Sequence, residues 1–275
     1  MAEEVTQHAQ QPGARVGPTH SGEVVEMQVA LGFHERTGKG RAGGSAVALG
    51  QQQVVVQPVL LGLAGNGRER GWWSQYEGGE LNPHYADYIA LEWDASDLYV
   101  VETSLIPGLL QTPAYTEAVI RMQSPNKADD FDYVQEQVKV RGQRRQVFAR
   151  SVPLRLWAIV AESALRHRVG GPEVMREQLE ALLSPANETN IQIQVLPTTA
   201  PINSALYGPF GILAFPEPAE TDVVYADSLM STVYYEQPDQ VDSFTTLFRR
   251  LNSEALPVEE SLARIRAAIQ EMDSK

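Results

Sequence analysis

The sequence contains no cysteine in its 275 residues. Disulfide bonds and thiolate metal sites are therefore excluded. The N-terminus has no basic segment followed by an apolar run, and no apolar stretch reaches about 18 residues. We therefore expect neither a signal peptide nor a membrane span, and we expect the protein to be cytoplasmic.

Positive charge is scarce: the sequence has 22 Lys and Arg residues and 35 Asp and Glu residues, which gives a net charge of −13. Residues 1–70 hold six basic and six acidic groups, whereas residues 71–275 hold 16 and 29. The second part therefore holds all of the net charge. An acidic body repels phosphate backbones, so we expect no nucleic-acid interface after residue 70.

Hydrophobic periodicity is missing near the N-terminus. Residues 1–67 hold 12 of the 21 glycines and a single aromatic residue, Phe33. The pattern predicts a poorly ordered segment over residues 1–59. A GC-rich coding sequence translated in a wrong frame would give the same composition, so an aberrant segment is the alternative interpretation.

The most readable stretch of the chain runs from Pro153 to Pro197. An apolar run at 154–161 predicts a buried strand, and a helical pattern over 173–183 follows the break at Gly170-Gly171-Pro172. Strict alternation over 191–195 predicts a half-buried strand. The stretch is therefore a predicted strand–helix–strand unit, with a right-handed connection if the strands are parallel.

The patterns on either side of this unit predict more helices and strands. We expect an α+β fold, with a mixed β-sheet flanked by α-helices and preceded by a low-order N-terminal segment. The predicted helices cover 83–93, 112–122, 129–150, 238–251 and 257–272, and the predicted strands lie within 98–101, 207–215 and 223–235.

Seven motifs, taken together and in order, resemble a family of actinobacterial proteins. They are RGWWSQY (70–76), LIPGLLQTPAY (105–115), LWAIVAESALRHRVGG (156–171), PEVMREQLEALL (172–183), NIQIQVLP (190–197), GPFGILAFPEP (208–218) and DVVYADS (222–228). The region resembles the C-terminal domain of unknown function of streptomycete regulators that begin with an Xre-type helix-turn-helix.

The resemblance implies an effector- or partner-binding domain over residues 60–272. It also implies a cytoplasmic transcriptional regulator with no established enzymatic activity. Members of the family have a helix-turn-helix before the RGWW motif, whereas residues 1–59 show no paired apolar helices and no basic stripe. We therefore expect the DNA-binding module to be absent or degenerate and this chain, as written, not to bind DNA.

Aromatic and charged residues near the predicted sheet are candidates for a pocket that binds a small-molecule effector. The alternative is that they are core and structural residues. Glu162 and Arg166 lie just after the central strand, with His167 beside them, but no nucleophile accompanies them, so we expect no catalytic residues. An enzyme or small-molecule binder derived from the domain, acting in a biosynthetic or resistance gene cluster, is the second hypothesis. The candidate ligand-binding residues are Trp72, Trp73, Trp157, Glu162, Arg166 and Tyr207.

A basic cluster at Arg141, Arg144 and Arg145 is the candidate surface for a small acidic protein partner. A solvated helix end is the alternative. The apolar stripes of the last two helices fit either a core or a homodimer seam. The five histidines show no metal-ligand spacing, so we expect neither a metal nor a cofactor.

Overall fold

The computed structural model describes residues 71–76, 83–184, 189–201, 207–216, 221–227 and 232–273. The predicted low-order segment, residues 1–59, lies outside them. The strands are β1 (Asp97–Glu102), β2 (Arg155–Ala161), β3 (Ile191–Leu196), β4 (Phe210–Ala214), β5 (Val223–Asp227) and β6 (Thr232–Tyr235). The α-helices are α1 (Pro83–Asp94), α2 (Pro113–Gln123), α3 (Phe131–Arg144), α4 (Pro172–Leu183), α5 (Pro238–Glu254) and α6 (Val258–Asp273).

The six strands form one mixed sheet in the order β3-β2-β1-β4-β5-β6. Strands β1, β2 and β3 are parallel, while β4, β5 and β6 are each antiparallel to the strand before them in that order. The predicted α+β class and the strand–helix–strand unit β2-α4-β3 are confirmed. Two reversals make β5 parallel to β1, so the carboxyl ends of β1, β2, β3 and β5 share one edge, called here the carboxyl edge.

Local capping fixes where the helices begin. The Thr112 hydroxyl accepts a hydrogen bond from the Tyr115 N–H at 3.3 Å, and Pro113 opens α2, as the sequence predicts. Pro172 opens α4 directly after Gly171, whose φ of 95° suits glycine. The long helix predicted over 129–150 is shorter than expected, because α3 ends at Arg144 and a 3-10 turn follows it.

Each face of the sheet has its own apolar core. One core joins the sheet to α1, α2, α4 and α6, and the other joins the opposite face to α5. The half-buried prediction for β3 is wrong at Gln194, which is buried, and right at Gln192, which is exposed. The Gln194 amide accepts from the Trp157 indole at 2.6 Å and donates to the Leu256 carbonyl at 3.0 Å, so its polar atoms are satisfied inside the fold.

The apolar stripes of α5 and α6 pack on the sheet of their own chain. Val241 and Phe248 lie in the α5 core, and Ile265 and Ala268 lie in the core of the opposite face. These buried side chains favour the core alternative for both stripes, and a homodimer seam stays a prediction. Among the described helices, none combines the length and the apolar character that a membrane span requires.

Candidate functional site

Glu162 follows β2 at the carboxyl edge, as predicted, but its carboxylate is occupied by its own chain. It accepts from the Thr198 N–H at 3.0 Å and from Arg264 at 2.7 Å, and it pairs with Arg166 at 3.3 Å. Burial alone would raise the pKa of Glu162, but the Thr198 hydrogen bond and the two arginines lower it overall. This geometry favours a structural anion that ties β2 to α6, and the ligand-binding prediction for Glu162 and Arg166 stays untested.

The predicted aromatic residues do not line one pocket. Trp72 and Trp73 pack in the core that contains α1, whereas Trp157 packs beside Phe248 on the opposite face of the sheet. Tyr207 is exposed, at 52% of its surface. The sheet therefore separates Trp72 and Trp73 from Trp157, and ligand binding by any of these residues stays a prediction.

The predicted basic cluster is also divided. Arg145 is exposed and Arg141 is half-buried, with its guanidinium 3.3 Å from the Gln111 amide oxygen. Arg144 is buried and faces the protein interior, so it is not available to a docking partner. Arg150 donates to the carbonyls of Trp93 and Ala95, which is a structural role.

Arg144 instead anchors a buried polar cluster between α1 and α3. Its guanidinium donates to both carboxylate oxygens of Glu92, at 2.6 and 2.8 Å, and Glu92 has no exposed surface. It also donates to the hydroxyls of Tyr85 at 2.8 Å and Tyr88 at 3.3 Å. Burial would lower the pKa of Arg144, but Glu92 and the two tyrosines hold it well above its ordinary value.

The cluster reaches the sheet through Tyr225 on β5. The hydroxyls of Tyr88 and Tyr225 are 3.4 Å apart, and their rings meet edge to face at 5.1 Å. The Tyr225 ring crosses β4 above Gly211, where an added Cβ would lie 2.3 Å from the ring. Gly211 therefore makes room for the Tyr225 ring to reach α1.

Two carboxylates end the strands beside this ring. Glu102 is the last residue of β1 and Asp227 is the last residue of β5, and both strands flank β4. Because side chains alternate along a strand, Glu102 shares the face of Val100, and Asp227 shares the face of Tyr225. Two strand spacings, about 10 Å, separate their backbones.

These carboxyl groups bind protons more tightly than ordinary ones. Burial, and secondarily Asp227, raises the pKa of Glu102 from 4.5 to about 8, although Arg141 opposes the rise. Burial also raises the pKa of Asp227, while a hydrogen bond from the Thr232 hydroxyl, 2.6 Å away, lowers it in part. Glu102 is half-buried and Asp227 is exposed, so the pair opens to solvent.

Tyr234 on β6 completes the arrangement. It pairs with Tyr225 across the two strands and has only 5% of its surface exposed. Within the described part of the chain, no group makes a hydrogen bond to its hydroxyl. Burial and then Asp227 raise the pKa of that hydroxyl, which places it in the field of Asp227. Glu102, Asp227, Tyr88, Tyr225 and Tyr234 are called here the carboxyl-edge site.

The carboxyl-edge site combines two carboxyl groups that hold their protons tightly with three largely buried tyrosine side chains. No group of three or more His, Asp or Glu side chains within the described ranges is placed to hold a metal ion. The site was missed in the sequence, where the only signal is that Glu102 and Asp227 each follow a buried strand directly. That position is typical of ligand-facing groups in sheet proteins.

The comparisons with known proteins identify a domain but not an activity. No curated protein matches the chain. A family model described as a domain of unknown function, DUF5753, matches residues 85–267, which include α2 to α5, every strand and most of α1 and α6. The protein therefore belongs to the DUF5753 family.

Proposed function

We propose that the domain binds a small-molecule effector and belongs to a transcriptional regulator. The observation that supports the first part best is the carboxyl-edge site, where Tyr234, with 5% of its surface exposed and no described group bonded to its hydroxyl, lies near two carboxyl groups that are open to solvent. A hydroxyl without a partner among the described residues is free to accept a hydrogen bond from a ligand that enters the site.

The topology supports the same site. The chain leaves β1 toward β2 on one side, and β4 enters on the other side, so the strand order reverses at β1. In open α/β sheets, ligands commonly bind outside the carboxyl ends of the strands, and Glu102 and Asp227 both stand at such ends. Glu102 ends the strand at which the order reverses.

The regulator part of the proposal rests on the resemblance of the seven motifs to streptomycete Xre-type regulators. The strongly acidic balance after residue 70 argues against DNA contact by the domain itself. An effector signal would therefore act on DNA through a separate module. The expected absence of a DNA-binding module from residues 1–59 stays a prediction, because those residues lie outside the described ones.

The partner-binding alternative is less well supported by the geometry. Of the three predicted arginines, only Arg145 is fully exposed, and Arg141 already contacts Gln111. An acidic partner would therefore meet one free guanidinium rather than a cluster. The enzyme hypothesis likewise stays a prediction, with Glu162 already held by Thr198 and Arg264.

Thermal unfolding with metabolite fractions tests the proposal. Fractions of the host's small molecules are added to the purified protein, to Asp227→Phe, which fills the mouth of the site, and to Asp242→Phe, a matched control on the exposed side of α5. A ligand present at 100 times its Kd stabilises by about 2.7 kcal/mol, or roughly 5 °C or more in a domain of this size. We expect one fraction to stabilise the wild type and Asp242→Phe but not Asp227→Phe.

Two results would count against effector binding at this site. The first is a stabilising fraction that acts equally on all three proteins, because the ligand would then bind elsewhere. The second is that no small-molecule fraction stabilises the wild type while the macromolecular fraction of the same host extract, assayed beside them, does; this would favour a protein partner.

A further inference from the structure

We infer that the carboxyl-edge site takes an organic cation, a protonated amine attached to an apolar or aromatic body. The inference rests on the proposed effector binding and specifies the chemical class of the ligand. It follows from the charges, the aromatic surfaces and the unpaired hydroxyl that converge at the end of β1 and β5.

The charge balance of the site favours a cation. Arg144 donates to Glu92 and to the neighbouring tyrosines, so it neutralises the Glu92 carboxylate. Arg141, which is 3.3 Å from the Gln111 amide oxygen, acts on both Glu102 and Asp227, and Arg144, whose charge is paired with Glu92, also acts on Asp227. When both carboxyl groups are ionised, the site holds two negative charges against one positive charge.

The surroundings of these carboxyl groups are aromatic. Tyr88 and Tyr225 meet edge to face at 5.1 Å, and Tyr234 lies beside Tyr225 on the next strand. Aromatic faces attract ammonium groups within about 6 Å, and they also pack against an apolar body. Arg144 already lies over the Tyr88 ring, 4.9 Å from its centroid, so a cation bound between Glu102 and Asp227 would meet Tyr225 and Tyr234 as well as the carboxylates.

The hydroxyl of Tyr234 gives an independent indication of a ligand. Its side chain is 95% buried and no described group bonds its hydroxyl, although Asp227 lies close enough to affect its ionisation. An ammonium group carries several N–H donors, so it can donate to Asp227 and to this hydroxyl oxygen together. A carboxylate ligand would instead be repelled by both acidic side chains.

Three probes of similar shape separate the ligand classes. They are 2-phenylethylamine, 2-phenylethanol and 3-phenylpropionate, which carry a positive charge, no charge and a negative charge. Binding to the full-length protein is measured by ligand-observed NMR at low salt and pH 8. We expect the amine to bind at least about tenfold more tightly than the alcohol and the carboxylate not to bind, because like charges repel at the site.

The variants locate the binding. Glu102→Gln combined with Asp227→Asn should weaken amine binding about tenfold or more, while Asp242→Asn on α5 should leave it unchanged. Tyr234→Phe removes only a hydroxyl and should weaken amine binding about threefold without lowering the unfolding temperature by more than a few degrees. This variant keeps the test meaningful if the double variant folds poorly.

Several outcomes would overturn the inference. They are equal binding of amine and alcohol, tighter binding of the carboxylate, amine binding that survives in the double variant, and no binding of the amine at millimolar concentration. If a metabolite fraction still stabilises the wild type and not Asp227→Phe, the proposal of effector binding is supported and only the inference that the ligand is a cation is refuted. If no fraction stabilises the protein either, both proposals fail.

Discussion

Replacing Arg144 with methionine tests the buried ion pair that holds α1 against α3. The guanidinium forms a two-pronged contact with Glu92 at 2.6 and 2.8 Å, and Glu92 has no exposed surface. Methionine keeps the apolar volume but leaves the carboxylate buried and unpaired. Removing one partner of a buried pair costs about 3–5 kcal/mol, a large share of the roughly 5–15 kcal/mol that stabilises a typical domain.

Urea unfolding followed by tryptophan fluorescence and far-ultraviolet circular dichroism gives the free energies of unfolding. The double variant Glu92→Gln/Arg144→Met no longer contains the unpaired Glu92 charge. Its loss of unfolding free energy should therefore be smaller, by about 1–3 kcal/mol, than the sum of the losses in the two single variants. Arg145→Met, on the exposed neighbour, should change stability by no more than about 0.5 kcal/mol. The reasoning is refuted if Arg144→Met costs less than about 1 kcal/mol, or if the single losses simply add.

Three other predictions concern the strands and helices around the site. Gly211→Ala should cost about 1–3 kcal/mol, because its Cβ would meet the Tyr225 ring, whereas Gly142→Ala, with open space around it, should stabilise α3 by about 0.5–1 kcal/mol in the same urea assay. An equal effect at both glycines would contradict the packing argument. Glu102→Gln should alter how stability depends on pH. The folded protein holds the Glu102 proton up to a pKa of about 8 and the unfolded chain only to its ordinary value of 4.5, so the wild type loses stability as pH rises between these values. The full shift corresponds to about 5 kcal/mol, and partial exposure reduces it, so the variant should match the wild type near pH 4 and exceed it by about 2–3 kcal/mol at pH 9. Parallel pH profiles would show that Glu102 is not perturbed. Gln178→Leu should cost about 1–3 kcal/mol, since Gln178 is buried, accepts from the Thr112 N–H at 2.7 Å and donates to the Leu110 carbonyl at 2.9 Å. A neutral effect in thermal unfolding would mean that water replaces these bonds.

Local sequence signals were enough to predict most of the helices and strands. Pro172 after two glycines marked the start of α4, and Thr112-Pro113 marked the start of α2, because both motifs act through backbone groups within a few residues. Gln194 was misjudged for the opposite reason. Its burial depends on Trp157 and Leu256, which come from distant parts of the chain.

The candidate site could be predicted only in part. The sequence placed Glu162 correctly after β2, but it could not show that Arg264, about a hundred residues later, would pair with that carboxylate. Glu102 and Asp227 come together only because β4 enters the sheet between β1 and β5. This strand order is a property of the whole sheet, and no local hydrophobic period in the sequence encodes it.

Chemical-shift mapping tests effector binding at the carboxyl-edge site most directly. Amide spectra of the isotope-labelled protein are recorded with and without the metabolite fraction that stabilises it. The account predicts that the largest shifts belong to Glu102, Gly211, Tyr225, Asp227 and Tyr234, around the ends of β1 and β5. Largest shifts around Trp157 and α5, or around Glu162 and Arg264, would contradict it and would place the ligand at a different part of the domain.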